Sequence, residues 1–275
     1  MTLSVVIITY NEEANLGRTL ESVMPLVRDG KGEIIVVDSG STDRTVEIAE
    51  SLGAKVFVEE WKGYAAQKNS ALEKASGEWI LSLDADEEVE PELAANISRL
   101  VHSEVQQSVS PEGVPRNEIN LLATTVLGFR INRKNFFLGR WIRHGGFWPD
   151  PKVRLFRKSA GRFEDRAVHE DVRIEKSGIR PLRGALIHHS YPTLSDYIEH
   201  MNRYSSLGAE MAVDKGYHGF SFVNIVLRPG ATFVYNYFFR LGFLDGREGL
   251  LLHLYHAVYV SWKYAKAWEL GRQKR

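Results

Sequence analysis

Two aspartates separated by one residue, Asp84 and Asp86, follow a short apolar run at residues 79–83. A run of β-forming residues bounded by polar ones predicts a buried strand. Carboxylates at positions i and i+2 where a strand ends can direct oxygen atoms at one hard cation. Mg²⁺ and Mn²⁺ take such oxygen ligands and leave coordination positions for substrate phosphate. The pair therefore predicts a metal-assisted phosphate site, and the alternative is an acidic loop ahead of a helix that begins at Pro91.

The elements that must position these aspartates alternate between strand and helix patterns. Continuous runs of β-branched and other apolar residues are typical of strands buried on both faces of a parallel sheet. Apolar residues at helical spacing separate these runs. The predicted strands occupy residues 4–9, 33–37, 55–58 and 79–83, and the predicted helices occupy residues 14–27, 42–52 and 63–75. This order predicts an α/β fold of parallel βαβ units that helices cover on both faces.

Polar residues collect directly after three of the four predicted strands, and ligands of such sheets bind beyond the carboxyl ends of the strands. They are Thr9, Asn11 and Glu12 after the first strand, Asp38 and Ser39 after the second, and Asp84 and Asp86 after the fourth. The glycine-rich phosphate loops G-x-G-x-x-G and G-x-x-x-x-G-K-[ST] do not follow the first strand. We therefore expect a metal ion to hold the phosphate groups of a substrate.

The composition excludes several classes of site. The 275 residues include no cysteine, which excludes disulfides, thiolate catalysis and cysteine-ligated zinc. Lysine plus arginine and aspartate plus glutamate balance at 35 each, so the net charge does not favour a nucleic-acid partner. The first residues lack the features of a secretory signal, and no run of about 18 uncharged apolar residues occurs. We expect a cytoplasmic protein without a membrane-spanning helix.

The middle of the chain is less regular. Residues 93–105 have helical spacing, and Glu87 and Glu88 ahead of them are interpreted as its solvated lead-in. Residues 106–117 contain two prolines and a glycine and are predicted to form a loop. Residues 135–155 interleave aromatic and basic side chains, the combination that binds sugar rings and their hydroxyl or phosphate groups. This stretch is either an acceptor-binding wall or aromatic core with solvated charge.

Titratable residues concentrate in residues 161–171, which read GRFEDRAVHED. A carboxylate in this stretch is a candidate general base for an acceptor hydroxyl, and His169 is a candidate metal ligand or phosphate partner. The alternative is a solvated acidic loop. His188 and His189 stand in tandem further on, and on a strand they point to opposite faces, so a two-histidine metal site is not expected.

The carboxyl-terminal part is rich in aromatic and basic residues. Residues 193–213, 231–244 and 249–268 are predicted to be helical, and a chain break is predicted at residues 228–230, Arg-Pro-Gly. Aromatic and basic helices that are too short to span suit a membrane interface. The alternatives are helices that pack on the rest of the chain or on a second subunit, which would make a homo-oligomer.

Four stretches in order carry a family resemblance: SVVIITYNEE, EIIVVDSGSTDRT, GYAAQKNSAL and GEWILSLDADEEV. Together they resemble the inverting family 2 glycosyltransferases, which have the GT-A fold. The stretches GGFWPDPKVRLFRK and GRFEDRAVHE and the aromatic carboxyl-terminal helices resemble the bacterial subgroup that adds a hexose to a heptose in the lipopolysaccharide inner core. The resemblance implies a nucleotide-sugar donor, with a UDP-sugar favoured, Mg²⁺ or Mn²⁺ as cofactor, and a glycan or glycolipid acceptor at the cytoplasmic face of the inner membrane.

The resemblance also implies roles for the donor-site residues. Thr9, Glu12 and Asp38 match positions that line the nucleotide base, and Lys68 matches a basic position near the pyrophosphate. The remaining predicted donor-site residues adjoin these positions or the aspartate pair, and they are Asn11, Ser39, Asn69 and Ala85.

The roles implied for the metal and the base follow the same motifs. Asp84 matches the ribose and metal side, and Asp86 matches the principal metal ligand, with His169 as a further candidate ligand. Glu170 falls where the base of the subgroup lies, with Asp171 next. Many family members place the base in a pair of acidic residues, so Glu164-Asp165 qualifies as well as Glu170-Asp171.

The implied reaction is a single displacement that inverts the anomeric configuration and needs no enzyme nucleophile. The resemblance implies a nucleotide-sugar half at residues 1–105, an acceptor and catalytic half at residues 106–192, and a helical extension at residues 193–275.

Three alternative functions differ in the sequence features they require. A sugar nucleotidyltransferase would have a glycine-rich loop after the first strand. A polyprenyl-phosphate glycosyltransferase would carry transmembrane helices, and a non-enzymatic membrane-surface protein would not need the aspartate pair.

Overall fold

The computed structural model describes residues 3–28, 30–106, 126–164 and 171–273. It divides the chain into two compact units. The first comprises Met1–Arg133 and Pro151–His188, and the second comprises Lys134–Asp150 and His189–Arg275. The loop predicted at residues 106–117 lies outside the described residues except for its first position. The three-part functional division of the chain stays a prediction.

Four parallel strands form one half of the main sheet, and they lie in the first unit. They are β1 (Leu3–Thr9), β2 (Gly32–Asp38), β3 (Lys55–Val58) and β4 (Trp79–Asp84), paired in the order β3-β2-β1-β4. Thr9 is paired with Asp38, and Ile8 is paired with Asp84. The carboxyl ends of β1, β2 and β4 therefore lie side by side, and the predicted α/β class is confirmed.

Helices follow each of these four strands. They are α1 (Leu16–Val27), α2 (Thr45–Ser51), α3 (Tyr64–Lys74) and α4 (Pro91–Gln106). Successive residues of a strand point to opposite faces of its sheet, and β1 fills a core on each face. Val5 and Ile7 pack in one hydrophobic cluster with Leu16 of α1, and Val6 packs in the other with Ala65 of α3.

A buried carboxylate, that of Glu33, connects these strands near their amino ends. Glu33 is 6% exposed, and it accepts hydrogen bonds from the Ser4 hydroxyl at 2.7 Å and the Ser76 amide at 2.6 Å. Lys55 Nζ lies 2.8 Å from its other oxygen. Burial raises the pKa of Glu33, but the bonds from Lys55, Ser76 and Ser4 outweigh burial and lower that pKa to about 2.

The later strands form antiparallel pairs, and one of them joins the parallel half by pairing with β4. They are β5 (Glu87–Val89), β6 (Gly128–Phe137), β7 (Arg140–Trp141), β8 (Pro151–Arg157), β9 (Arg162–Glu164), β10 (Asp171–Arg173) and β11 (Ile179–Tyr191). Strand β8 pairs with β4 and β6, β5 pairs with β11, and β9 and β10 form a separate two-stranded sheet. Strands β6 and β11 each contribute residues to both units.

The second unit is mainly helical. Helix α5 (Leu194–Asp214) begins at Thr193, which forms a capping box with Asp196. Helix α6 (Arg228–Val234) is flanked by π-helical segments, Val223–Leu227 before it and Tyr235–Phe239 after it. Helix α7 (Gly246–Gln273) completes the chain. In the part of the chain that the structure describes, no helix combines the length and the apolar character that crossing a membrane requires.

The chain break predicted at residues 228–230 is wrong, because those residues open helix α6. Pro229 lies in the first turn of that helix, where a missing backbone N–H is tolerated. The π segment before it and the π segment after it make one continuous helical run over residues 222–239. The helices predicted at residues 193–213 and 249–268 are confirmed within one to a few residues at their ends.

Candidate active site

The turn after β2 is built around the carboxylate of Asp38, which is fully buried. Its Oδ1 accepts hydrogen bonds from the backbone amides of Gly40 at 2.9 Å and Ser41 at 2.8 Å. Its Oδ2 accepts from the hydroxyls of Thr9 at 2.9 Å and Ser41 at 2.5 Å. Asp38 and Thr9 are thus brought together at the strand ends. They shape the turn there, and their contact with a nucleotide base stays a prediction.

The turn after β1 is cross-linked to the same loop through Asn11. Asn11 has a left-handed backbone with φ of 53°, a conformation that asparagine tolerates better than most residues. Its backbone amide donates to the Ser41 hydroxyl at 2.8 Å, and its side-chain oxygen accepts from the Thr42 amide at 2.8 Å. These bonds fix the two turns relative to each other, so the predicted donor-site residues of β1 and β2 form one rigid edge.

Glu12 lies at the same edge, and the charges of the aspartate pair affect its pKa. Its backbone amide donates to the Thr45 hydroxyl at 2.8 Å, and its carboxylate accepts from Asn15 at 2.9 Å. Burial raises the pKa of Glu12, the bond from Asn15 lowers it, and the negative charge of Asp86 raises it further. The net rise therefore comes first from burial, and the neighbouring carboxylates Asp86, Asp43 and Asp84 add to it.

Asp84 at the end of β4 is held by two buried cations. Lys68 Nζ lies 2.9 Å from Oδ1, and Arg154 donates to Oδ2. Burial alone would raise the pKa of Asp84, but the positive charges of Arg154 and Lys68 hold that pKa well below its ordinary value. Asp84 is therefore ionised, with its charge already balanced by protein cations. This arrangement makes Asp84 a weaker candidate metal ligand than Asp86.

Glu87 corrects the interpretation of residues 87 and 88 as a solvated lead-in to a helix. Its side chain is fully buried, and residues 87–89 form strand β5. Its Oε1 accepts from Arg154 at 2.6 Å and from Arg133 at 3.0 Å, while its Oε2 accepts from the Asp84 amide at 3.1 Å. Glu87 is a buried counter-ion that fixes the strand end carrying the aspartate pair. Glu88 is partly exposed and lies 3.6 Å from Arg18.

Asp86 faces His188, one of the tandem histidines, which was not among the predicted site residues. His188 Nε2 lies 3.3 Å from Asp86 Oδ2. The two meet because β11 pairs with β5, where His188 is the register partner of Glu87. Burial lowers the pKa of His188, but the charge and hydrogen bond of Asp86 outweigh burial and raise it. As the alternation of strand residues predicts, the two tandem histidines have different neighbours. The His189 ring lies against Phe136, with centroids 5.7 Å apart.

The donor set at Asp86 fits a divalent cation. A carboxylate oxygen and an imidazole nitrogen stand close enough to share one ion, and Mn²⁺ accepts both ligand types. Within residues 3–28, 30–106, 126–164 and 171–273, no group of three histidine, aspartate or glutamate side chains is arranged around one point. A metal here would thus take its remaining ligands from water and substrate phosphate, as Mg²⁺ and Mn²⁺ commonly do.

Helix α3 contributes Lys68 and Asn69 in different ways. Lys68 Nζ lies 5.5 Å from the centroid of the Phe163 ring, in addition to its bond with Asp84. Asn69 donates from its side chain to the Phe163 carbonyl at 2.9 Å and accepts from the Phe163 amide at 3.0 Å. The Asn69 amide group therefore anchors strand β9, and a role for it in donor binding stays a prediction.

Ser39 and Ala85 are placed by backbone contacts. The Ser39 amide donates to the Thr9 carbonyl at 2.9 Å. The Ser39 hydroxyl is buried and has no hydrogen-bond partner among the described residues. The Ala85 carbonyl accepts from the Thr19 hydroxyl at 2.7 Å, and its methyl group packs in the core. Their predicted donor contacts stay predictions.

The candidate bases are only partly described. Glu164 ends β9, accepts from Arg173 at 2.8 Å, and is the register partner of Asp171 in β10. Asp165, His169 and Glu170 lie outside the described residues. Because β9 and β10 pair with each other, the chain ends on either side of residues 165–170 are adjacent, and Asn69 anchors this pair to α3.

The structure places residues of the aromatic and basic stretch 135–155 in several different environments. Phe137 is buried core, and its ring lies 5.3 Å from that of Tyr197. Trp141 is half-buried, with Arg143 4.1 Å and Lys134 4.8 Å from its ring centroid. Arg154 lies in the first unit and is 7% exposed. Arg154 is therefore a buried partner of Asp84 and Glu87, which neither interpretation of this stretch predicted.

Comparison with known proteins points to one family. The family described as glycosyl transferase family 2 matches residues 4–160. A lipopolysaccharide core biosynthesis glycosyltransferase, LpsC of Rhizobium meliloti, is 29% identical over 98% of this chain and 93% of its own length. An uncharacterised glycosyltransferase of Rickettsia typhi is 32% identical over 99% of this chain and 89% of its own. Among solved structures, glucosyl-3-phosphoglycerate synthase from Mycobacterium tuberculosis with Mn²⁺, UDP-glucose and glycerol 3-phosphate is 26% identical over 50% of this chain and 45% of that chain, with a TM-score of 0.34.

Proposed function

Since this chain belongs to glycosyl transferase family 2 and is a transferase, we propose that it moves a hexose from a nucleotide sugar to a glycan acceptor with inversion. The observation that carries the proposal is the position of Asp86. It stands beyond the end of β4, next to the turns after β1 and β2, and faces His188 at 3.3 Å. Ligands of parallel sheets bind at this edge.

The donor is proposed to be a UDP-sugar, bound along the edge that Thr9, Asn11, Glu12 and Asp38 form. Asp86, with His188, would hold Mg²⁺ or Mn²⁺, which when bound neutralises the departing diphosphate as a Lewis acid. Lys68 stays beside Asp84 and supplies a fixed positive charge next to this site.

The chemical step is proposed to be one displacement. Glu170, or Asp171 next to it, takes the proton of the acceptor hydroxyl. The acceptor oxygen forms a bond to the anomeric carbon while the bond from that carbon to the phosphate oxygen breaks, and the nucleoside diphosphate leaves with the electron pair. Because attack and departure occur on opposite sides, the configuration inverts.

The acceptor is proposed to be a glycan of the lipopolysaccharide core type. The support is LpsC, whose name assigns it to lipopolysaccharide core biosynthesis and which matches 98% of this chain. Trp141, with its two neighbouring cations, is proposed to contribute to acceptor binding, because aromatic faces pack on sugar rings and cations bind anionic groups. A lipid-linked acceptor of this kind would bring the protein to the cytoplasmic face of the inner membrane.

Replacing Asp86 tests the metal assignment. Asp86→Asn should abolish Mn²⁺-dependent binding of UDP and metal-dependent sugar transfer, since a neutral amide is a much weaker ligand. Calorimetry of UDP binding with Mn²⁺ and with EDTA is the measurement, and circular dichroism checks the fold. Asp214→Asn, the same change at an exposed helix end, is the control and should behave as the wild type. Full Mn²⁺-dependent activity in Asp86→Asn would contradict the assignment.

Replacing Glu170 tests the base. Glu170→Gln should bind UDP and Mn²⁺ as the wild type does but lose turnover, by a factor of about 10²–10⁴. Glu175→Gln, an exposed glutamate, is the matched control and should keep full turnover. Retained turnover in Glu170→Gln would move the base to Asp171 or the Glu164-Asp165 pair.

A further inference from the structure

The helical run at residues 222–239 in the second unit exposes large apolar side chains along its whole length. Phe239 is 75% exposed, and Phe222, Val223 and Tyr235 are each exposed by more than half. Large contiguous apolar patches on a protein surface mark protein or membrane contacts. Of the large hydrophobic residues exposed in the described structure, most lie between Tyr217 and Leu254.

These exposed residues follow a four-residue repeat. One row contains Phe222, Val226, Gly230, Val234 and Phe238. The adjacent row contains Val223, Leu227, Ala231, Tyr235 and Phe239. Every member of both rows is exposed, and none is charged. We call these two rows the apolar face of the helix.

The other two rows of the repeat have different partners. The row of Ile225, Pro229, Phe233 and Tyr237 is buried or half-buried, and the Ser261 hydroxyl of α7 donates to the Ile225 carbonyl at 2.7 Å. The row of Asn224, Arg228, Thr232, Asn236 and Arg240 is polar throughout. The helix thus attaches to α7 by one row and turns its apolar face outward, with a polar row along the side.

The π-helical segments keep the apolar face straight. In a regular helix of 3.6 residues per turn, a row at every fourth residue drifts by about 40° per step. Over the four steps from Phe222 to Phe238 such a row would wind nearly halfway around the helix. The wider turns of Val223–Leu227 and Tyr235–Phe239 carry more residues each and reduce this drift. The backbone geometry and the sequence repeat therefore match, and together they hold ten exposed apolar positions on one side.

The charge beside the apolar face has one sign. From Phe220 to Arg247 the exposed charged residues are Arg228, Arg240 and Arg247, and the next residue, Glu248, is partly exposed and lies 3.8 Å from Arg140. The acidic residue of this stretch, Asp245, is 2% exposed and accepts hydrogen bonds from the His144 amide and ring. A second copy of the chain would bring the same three arginines to the interface, so two such faces repel each other, whereas an anionic surface attracts them.

We propose that the apolar face of residues 222–239 lies in the interface of an anionic lipid bilayer, with Arg228, Arg240 and Arg247 at the level of the lipid headgroups. An in-plane helix of this kind combines a broad apolar face with flanking cations. The inference rests on the proposed function only in that a lipid-linked acceptor would need the protein at a membrane. The binding itself requires neither donor nor acceptor.

Flotation of the full-length protein with lipid vesicles tests the proposal. The vesicles are phosphatidylcholine alone, or phosphatidylcholine with about one third phosphatidylglycerol, at about 0.15 M and about 1 M salt. The wild type should float with the anionic vesicles at the lower salt concentration. It should float much less with neutral vesicles or at the higher salt concentration, because the arginine attraction is then absent or screened.

Paired substitutions assign the binding to the apolar face. Val223→Glu with Phe239→Glu should weaken vesicle binding about tenfold or more. The neutral pair Val223→Gln with Phe239→Gln should also weaken it, which separates the loss of apolar contact from charge repulsion. The matched control is Val58→Glu with Phe57→Glu, the same change at two exposed residues of β3, and its vesicle binding should stay within about twofold of the wild type.

Three results would overturn the proposal. The wild type could stay off anionic vesicles, or the Val223/Phe239 pairs could bind as the wild type does while circular dichroism shows all variants folded. Sedimentation could instead show a wild-type dimer that the same pairs convert to a monomer, without vesicle binding, which would assign the face to self-association. UDP binding with Mn²⁺, measured without vesicles, reports on the proposed function separately.

Discussion

Glu87→Gln should destabilise the first unit strongly although it changes only one atom. The Glu87 carboxylate is fully buried, with one oxygen 2.6 Å from Arg154 and 3.0 Å from Arg133, and the other accepting from the Asp84 amide at 3.1 Å. All of these partners donate hydrogen bonds. Whichever way a glutamine amide is turned, its NH₂ group faces a donor. Two guanidinium groups, that of the buried Arg154 and that of the half-buried Arg133, also lose a counter-ion.

Breaking a buried ion network in this way costs about 3–5 kcal/mol. The urea midpoint, followed by far-UV circular dichroism, should therefore fall by roughly 1–2 M. Glu88→Gln is the matched control at the next residue. Its side chain is 24% exposed and faces the exposed Arg18 at 3.6 Å, so the cost should be about 1 kcal/mol or less. If Glu87→Gln costs no more than Glu88→Gln, the reasoning that Glu87 is an indispensable buried counter-ion is refuted.

Three further predictions concern the frame of the site. Because the pKa of Glu33 is about 2 in the folded state and near 4.5 otherwise, its stabilisation is complete above about pH 4.5 and is lost as the pH falls through about 2. Glu33→Gln should remove about 3 kcal/mol of this acid dependence, measured by urea unfolding at several pH values. Asn69→Ala removes two hydrogen bonds to Phe163 and should lower turnover more than UDP affinity, as steady-state kinetics and calorimetry would show. Gly184→Ala, with φ of 99° and its Cβ 2.7 Å from Leu93 Cα, should lower the melting temperature by several degrees, whereas an unchanged melting temperature would contradict the steric argument.

The strand ends that carry the proposed donor site could be predicted because their signals are local. Continuous apolar runs specify β1, β2 and β4, and the parallel arrangement brings their carboxyl ends to one edge. The placement of Thr9 beside Asp38 follows from that rule without knowledge of any side-chain contact. The short strand β3 was also predictable, since its flanking helices follow the same alternation.

The charge network could not be predicted because its partners are distant in sequence. Glu87 looks like any acidic residue before a helix, and its burial follows only from Arg133 and Arg154, which lie 46 and 67 residues further along the chain. The same is true of His188. Strand alternation requires that one of the two tandem histidines face each side, but the pairing of β11 with β5 decides which one meets Asp86.

The four-residue repeat of residues 222–239 makes the length of this helix a target of selection as well as its composition. Surface loops tolerate insertions and deletions because the flanking chain can rearrange around them. Losing a single residue within α6 would instead rotate everything after it by about 100°. Phe238 would then leave the outward side, Phe239 would take its place, and Arg240 would enter the row that Phe239 now ends. Exchange of one apolar residue for another within the rows keeps the surface intact, so an evolving lineage should retain the helix length far more strictly than the individual side chains.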